Sequence, residues 1–80
     1  MPYITEKQKN KLYKNCIPES AGELNYLLTI EIRKYINKHD YCYQTMNDIV
    51  GALECCKQEF IRRIVNPYED TKIKENGDIY

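Results

Sequence analysis

The sequence has no tryptophan, one phenylalanine, one histidine and no net formal charge. Its twelve basic and twelve acidic side chains exclude the strongly basic character that long nucleic acids require. No apolar run approaches the roughly 18 residues of a membrane-spanning helix, and Met1-Pro2-Tyr3 does not open a signal peptide. We therefore expect a soluble cytoplasmic protein with no long nucleic acid and no membrane as partner.

Residue sets typical of catalysis are also missing. There is no P-loop, no GxGxxG and no Ser-His-Asp set, and His39 is the only histidine, which excludes the multi-histidine sites of HD-type hydrolases. The acids do not form the dense ExxE and ExxD pattern with which all-α pyrophosphatases bind Mg²⁺. We expect no enzymatic activity and no cofactor; a nucleophile pair of Cys55 or Cys56 with His39 is the alternative that stays open.

The four cysteines are Cys16, Cys42, Cys55 and Cys56, and none of their spacings is CxxC. Without an export signal, free thiols are expected rather than disulfides. Adjacent cysteines point about 100° apart on a helix, so Cys55 and Cys56 do not readily bind one ion together. The alternative is a zinc site formed by His39, Cys42, Cys16 and Cys56. We expect free thiols and no metal.

Length and composition give two further expectations. Isoleucine, lysine, asparagine and tyrosine make up 34 of the 80 residues, and their AT-rich codons point to a low-GC bacterium or its phage. Eighty residues correspond to a single helical domain over 1-80. A chain of this length buries only about 60% of its unfolded surface, so a core of its own is marginal.

Capping signals mark the first three helices. Thr5 with Gln8 and Ser20 with Glu23 fit capping boxes, which predict a short first helix and a second helix over about 21-38. Thr45 is the expected N-cap of a third helix over about 46-65. The predicted fold is all-α, a small helical domain of two longer helices plus short N- and C-terminal helices.

The last fourteen residues, PYEDTKIKENGDIY, predict a fourth helix or a kinked extension of the third. Asn66 and Pro67 fit the N-cap and N1 positions, and Gly77 fits the C′ glycine after a helix. Apolar Ile73 and Ile79 suggest that the terminus folds back onto the body. We therefore expect an ordered segment rather than a solvated tail.

Apolar periodicity predicts two core stripes. The third helix carries one at Ile49, Leu53, Cys56, Phe60 and Ile64, and the second helix carries one at Leu24, Leu28 and Tyr35. Tyr26 and Ile30 lie on the opposite, outer face of the second helix. Either the short helices or a second copy covers this face. We favour a homo-oligomer with contacts through the second and third helices.

Glu31 falls on the apolar stripe of the second helix. An unpaired carboxylate there would be costly, so we expect a bond to Arg63, a lysine or a tyrosine hydroxyl. A structural acid is the favoured interpretation, and a ligand-binding or catalytic acid is the other.

Arg62 and Arg63 follow each other near the end of the third helix, and Tyr68 lies shortly after. Ion pairs with Glu59 one turn earlier are the simple interpretation. A phosphate site is the alternative, because guanidinium groups and a helix N-terminus both bind phosphate and a tyrosine ring can stack on a base. The predicted ligand-binding residues are Arg62, Arg63, Tyr68, Tyr26 and Tyr80.

Five stretches of the sequence are distinctive: MPYI at 1–4, GELNY at 22–26, GALE at 51–54, EFIRRIVNPYED at 59–70 and KIKENGDIY at 72–80. Through them the chain resembles a family of short, uncharacterised phage and bacterial helical proteins, and if a phage encodes it we expect it in the host cytoplasm. The five stretches cover about half of the chain, and the C-terminal third is the most specific. The resemblance implies no known activity, but it marks the C-terminal segment as a family feature.

In size and helical character the chain is also similar to small phage proteins that assemble and sequester nucleotide signals of host immunity. We therefore expect a non-enzymatic oligomeric binding protein for a small phosphorylated ligand, such as a nucleotide immune signal. The alternative is a protein-protein interaction module, or a small structural component that blocks or scaffolds a host or phage protein.

Overall fold

The computed structural model describes residues 3–15 and 17–80, and within them the backbone is helical without any strand. The elements in chain order are α1 (Glu6–Asn15), α2 (Ala21–Lys38), α3 (Tyr43–Phe60), a π-helical segment (Ile61–Val65) and α4 (Asn66–Asn76). The all-α prediction is confirmed. The second helix has its predicted bounds, whereas the third begins three residues earlier and turns into a π-helix after Phe60.

The first predicted capping box is complete, whereas the second has its Ser20 cap without the reciprocal bond, because the Glu23 carboxylate accepts from the Glu19 N–H instead of the Ser20 N–H. The Thr5 hydroxyl accepts a bond from the Gln8 N–H at 3.2 Å, and the Gln8 side chain accepts one from the Thr5 N–H at 2.8 Å. Ser20 Oγ accepts from the Glu23 N–H at 3.2 Å. These bonds satisfy helix N–H groups that have no partner within the helix, which explains why α1 and α2 begin where they do.

The predicted start of the third helix is wrong. Thr45 lies inside α3 and is 6% exposed, whereas Cys42 directly precedes the first helical residue. The sulfur of Cys42 lies 3.5 Å from Thr45 Oγ1. A sulfur atom therefore stands at the cap position, and Thr45 occupies the third helical position.

Asn66 is not the N-cap that the sequence predicts. Its backbone is helical, with φ −63° and ψ −46°, and its N–H bonds to the carbonyl of Ile61, five residues earlier. The helical run therefore continues without a break from Tyr43 to Asn76. This corresponds to the extension of the third helix that the sequence offers as the alternative to a separate fourth helix.

Proline explains the π-helical segment. Pro67 has no N–H and in a regular α-helix would clash with the carbonyl four residues earlier. The wider i→i+5 turn before it relieves that crowding. The run ends as predicted at Gly77, whose φ is 88° and whose N–H bonds to the Ile73 carbonyl at 2.8 Å.

The chain divides into two compact units, residues 1–45 and 46–80. In the first unit α1 packs against α2. Leu12 on α1 is 2% exposed and is the one buried apolar side chain among residues 3–14 and 17–80. In the second unit α4 continues directly from the π-helical segment.

The predicted core stripes are not buried within the chain. Leu53, Phe60 and Ile64 are 41–57% exposed, and Leu24, Leu28 and Tyr35 are 40–50% exposed. Conversely, the outer face of α2 is half-buried, because Tyr26 and Ile30 line a groove next to α1. Periodicity identifies residues that share a face but not which face is covered. In this structure α1 covers the face of α2 that carries Tyr26 and Ile30.

Glu31 bonds a lysine, one of the partners that the sequence predicts for it, but the apolar stripe on which it lies is not buried. Its side chain is exposed and bonds Lys34 Nζ at 2.9 Å, an intrahelical pair of the kind that stabilises only weakly. The buried acid is Glu23, which is 2% exposed.

Glu23 joins α1 to α2 through several hydrogen bonds. Its carboxylate accepts from Gln8 Nε2 at 3.1 Å, from Lys11 Nζ at 3.0 Å and from the Glu19 N–H at 3.0 Å. Lys11 also donates to Glu19 at 2.7 Å. The Glu19 N–H and then Lys11 lower the pKa of Glu23, while Glu19 and then Glu23 raise the pKa of Lys11. This network therefore favours both charged forms in the folded state.

We expect the first unit to lose stability at both ends of the pH scale. The lowered pKa of Glu23 gives stability above the ordinary carboxyl value of about 4.5 that is lost as pH falls through the folded-state pKa. The raised pKa of Lys11 gives stability below the ordinary value of about 10.5 that is lost as pH rises through the folded-state pKa. Thermal unfolding as a function of pH measures both losses.

The matched variants are Glu23→Gln and Glu31→Gln. Glu23→Gln should reduce the loss of stability at low pH. Glu31→Gln removes an exposed ion pair and should show the same dependence of stability on pH as the parent protein. Identical acid-side profiles for all three proteins would contradict a structural role for Glu23.

Candidate functional site

The two arginines of the predicted site lie in the π-helical segment and share one acid. Arg62 donates to Glu59 through Nε at 3.2 Å and Nη2 at 3.0 Å, and Arg63 donates through Nε at 3.0 Å. The arginine side chains are 66% and 71% exposed. The predicted pairing with Glu59 is therefore present, but on an open surface.

The Glu59–Arg62–Arg63 cluster retains one positive charge, since one carboxylate serves two guanidinium groups. Within the described part of the chain, both terminal nitrogens of Arg63 are left without a hydrogen bond. Guanidinium N–H groups in this state can bind a phosphate or carboxylate in the bidentate manner that arginine favours.

The helix N-terminus expected beside the arginines does not exist. The Asn66 N–H bonds to Ile61 within the continuous helical run, and Pro67 has no N–H to offer. The anion-binding N–H groups of a new helix are therefore not part of this site. Its cationic groups are the side chains alone.

Tyr68 is 59% exposed and has a lysine rather than an arginine over its ring. Lys72 Nζ lies 5.5 Å from the ring centroid, one turn later on α4, and is also 3.4 Å from Glu75. A lysine at this distance is attracted by the ring electrons.

The C-terminal residues do not fold back as expected. Ile79 is 94% exposed and Tyr80 is fully exposed. The Tyr80 N–H bonds locally, to Asp78 at 2.9 Å. A shallow depression of about 460 Å³ between α4 and this terminus is lined in part by Lys72 and Tyr80. The helix up to Asn76 is ordered as predicted, but Ile79 is not an apolar anchor.

Tyr26 belongs to the first unit, apart from the other predicted ligand residues. It lines an open groove of about 490 Å³ together with Leu12, Leu27 and Ile30, and Lys9 Nζ lies 5.8 Å from the centre of its ring. The groove is predominantly apolar, whereas the arginine cluster is cationic. The five predicted ligand residues are therefore divided between the two compact units, with Tyr26 in the first and the other four in the second.

Cys42 is a feature that sequence reasoning missed. The Thr45 N–H and hydroxyl lower the pKa of its thiol, because a helix start favours a negatively charged sulfur. Cys42 lies three residues before Thr45, at a position where a serine would be recognised as an N-cap. This spacing is the signal that could have identified the cap. Cys55 and Cys56 are exposed free thiols.

Metal-ligand clusters and membrane-spanning helices are both absent from the part of the chain that the structure describes. Over residues 3–15 and 17–80, no three His, Cys, Asp or Glu side chains converge as metal ligands would. Cys16 of the zinc alternative lies outside the described residues. None of the described helices combines the length and apolar character needed to cross a bilayer.

Comparison with known proteins gives one result at the family level. Neither the curated proteins nor the solved structures include a match to this chain. The DUF6899 family, described as a domain of unknown function, matches residues 1–79, all but the last residue of the chain. The chain therefore belongs to the DUF6899 family.

Proposed function

We propose that this chain is a non-enzymatic binding protein that holds a small phosphorylated ligand on the exposed surface formed by Arg62, Arg63 and Tyr68. The observation that carries the proposal is the sharing of Glu59 by both arginines. It holds the guanidinium groups in place, leaves one positive charge, and keeps the terminal nitrogens of Arg63 available. Phosphate is the ligand chemistry that matches such groups best.

The aromatic ring gives the proposal its second component. Tyr68 lies on the same continuous helical run as the arginines and is largely exposed. A tyrosine face can stack on a nucleobase, and Lys72 over the ring adds a further cation. A nucleotide would supply both a base and a phosphate, and therefore fits this surface better than inorganic phosphate.

Acidic neighbours restrict how the ligand approaches. Glu69 and Asp70 lie in the first turns of α4 and would repel a phosphate placed there. We therefore propose that the phosphate binds on the arginine side of the helical run and the base on the Tyr68 side. In a phage-encoded protein, such binding would sequester a nucleotide signal of host immunity, with several copies of the chain assembled.

Titration calorimetry with cyclic nucleotides and ADP-ribose derivatives tests the proposal. We expect Arg63→Gln to weaken binding by about tenfold or more, the scale of a lost charge-assisted hydrogen bond. Arg33→Gln is the matched control, because Arg33 is an exposed arginine of the first unit, and it should bind as the parent does. The absence of binding to every ligand at millimolar concentration would refute the proposal.

A second candidate function is favoured by the exposed stripe of α2. Leu24, Leu28 and Tyr35 are 40–50% exposed on one helix face, as in modules that bind a protein partner or a larger particle. Capture of a defined host or phage protein that Leu24→Glu with Leu28→Glu abolishes would support it. Ligand binding that survives this double substitution would assign the two functions to separate surfaces.

A further inference from the structure

Asn76 is the last residue of α4, and Gly77 directly follows it. Of the seven asparagines in the sequence, Asn76 is the one that precedes a glycine. Asparagine is a chemically labile side chain, because the backbone nitrogen of the next residue can attack its side-chain carbonyl carbon, Cγ. A glycine in the next position favours this attack, since it has no Cβ to crowd the reacting atoms.

The reaction needs water and no other reagent. The backbone nitrogen of Gly77 loses its proton and bonds to Cγ of Asn76, and the side-chain nitrogen leaves as ammonia. The five-membered imide that results then adds one water molecule. Cleavage between Cγ and the ring nitrogen gives aspartate. Cleavage between the main-chain carbonyl carbon and the ring nitrogen gives isoaspartate, in which the chain runs through the side chain.

The surroundings of Asn76 leave room for the ring. Asn76 and Gly77 are both exposed. Apart from the chain neighbours of Gly77, no heavy atom of the described residues lies within 4 Å of the position that a Cβ would occupy there. Water therefore has access to the imide from outside the chain.

The other asparagines lack a comparable neighbour. Asn66 precedes Pro67, whose nitrogen carries no proton to lose. The remaining five belong to the first three helices and each precede a residue with a side chain; they are Asn10, Asn15, Asn25, Asn37 and Asn47. The sequence and the end of α4 therefore single out one asparagine.

One hydrogen bond restrains the reaction in the folded chain. The Gly77 N–H donates to the Ile73 carbonyl at 2.8 Å, and a nitrogen held in this bond keeps the proton that it must lose before it attacks Cγ. This bond is the last one of α4, and helix ends open more readily than helix interiors. The attack therefore occurs while the final turn is open.

We propose that Asn76 is a site of spontaneous deamidation and that the hydrogen bond from Gly77 to Ile73 controls its rate. The proposal rests on the end of α4 and does not depend on ligand binding at the arginines. The two are measured by different readouts, so the failure of either is recognised separately.

The modification prevents the last turn of α4 from closing as before. Aspartate at position 76 places a negative charge at the helix C-terminus, where the helix dipole disfavours it. Isoaspartate adds one atom to the main chain, so that the Gly77 N–H and the Ile73 carbonyl are no longer in register. The net formal charge of the chain changes from zero to −1, because one neutral amide becomes one carboxylate.

Peptide mapping of the full chain by mass spectrometry tests the site. After incubation at mildly alkaline pH we expect aspartyl and isoaspartyl products at Asn76, release of a matching amount of ammonia, and intact amides at the other six asparagines. The control is Asn76→Gln, whose longer side chain cannot form the five-membered ring, and it should release no ammonia over the same period. An unchanged Asn76, or faster conversion of another asparagine, would overturn the proposal.

The role of the hydrogen bond is tested by comparing the rate of conversion in the folded chain and in the chain unfolded by guanidinium chloride. We expect the folded chain to react about threefold to tenfold more slowly, the protection that a locally opening terminal bond provides. Equal rates in the two states would show that the bond between Gly77 and Ile73 does not control the reaction and would overturn the proposal.

Discussion

Replacement of Leu12 by alanine is expected to lower the stability of the first unit by about 2–3 kcal/mol. Deleting most of a buried leucine side chain costs about 2–5 kcal/mol, and the lower part of this range applies where the surroundings can relax. Leu12 is 2% exposed and borders the open groove against α2, which permits such relaxation. A domain of this length has a total stability of only about 4–12 kcal/mol, so α1 should undock readily.

Amide hydrogen exchange along α1 and α2 measures this effect. Leu24→Ala is the matched control, because it removes the same atoms from a side chain that is 50% exposed, and its cost should stay below about 1 kcal/mol. Equal losses for the two variants would show that Leu12 does not hold the two helices together.

Replacement of Pro67 by alanine is expected to stabilise the helical run of the second unit by about 1–2 kcal/mol. Proline is about 3 kcal/mol less favourable than alanine inside a helix. Part of that cost is already relieved by the π-helical segment, in which the Asn66 N–H bonds to Ile61. Alanine supplies the missing N–H and allows regular i→i+4 bonding through the same residues.

The measurement is again amide exchange, now between Ile61 and Thr71, which we expect to slow by roughly tenfold. Pro18→Ala is the control, because Pro18 lies between α1 and α2 outside any helix and its loss restores no helical bond. Unchanged protection in Pro67→Ala would mean that proline is not the cause of the π-helical geometry.

Sequence reasoning succeeded where structure depends on bonds between near neighbours. Thr5, Ser20 and Gly77 were assigned correctly because each cap bond spans at most four residues. Asn66 was assigned wrongly because Asn-Pro-Tyr-Glu fits a new helix and a continuing one equally well. The π turn that decides between them involves Ile61, which no capping rule considers.

Packing was less accessible from the sequence. Periodicity correctly grouped Leu53 with Phe60 on one helix face, but it does not say what covers that face. Both side chains are exposed in the structure. The buried acid, Glu23, was overlooked because its partners Gln8 and Lys11 come from another helix.

At the candidate site, the pairing of the arginines with Glu59 followed from helical spacing. The contact of Tyr68 with Lys72 has the same spacing and was missed.

The π-helical segment has a consequence for how chain length varies within a family. A deletion inside a helix normally rotates the following residues by about 100° and destroys any face they share with the preceding ones. Loss of one residue between Ile61 and Val65 would instead convert the wide turn into a regular one and keep α3 and α4 in phase. Relatives that differ in length by one residue here can therefore present the same surface, and an alignment gap at this position would record a change of turn type rather than a change of fold.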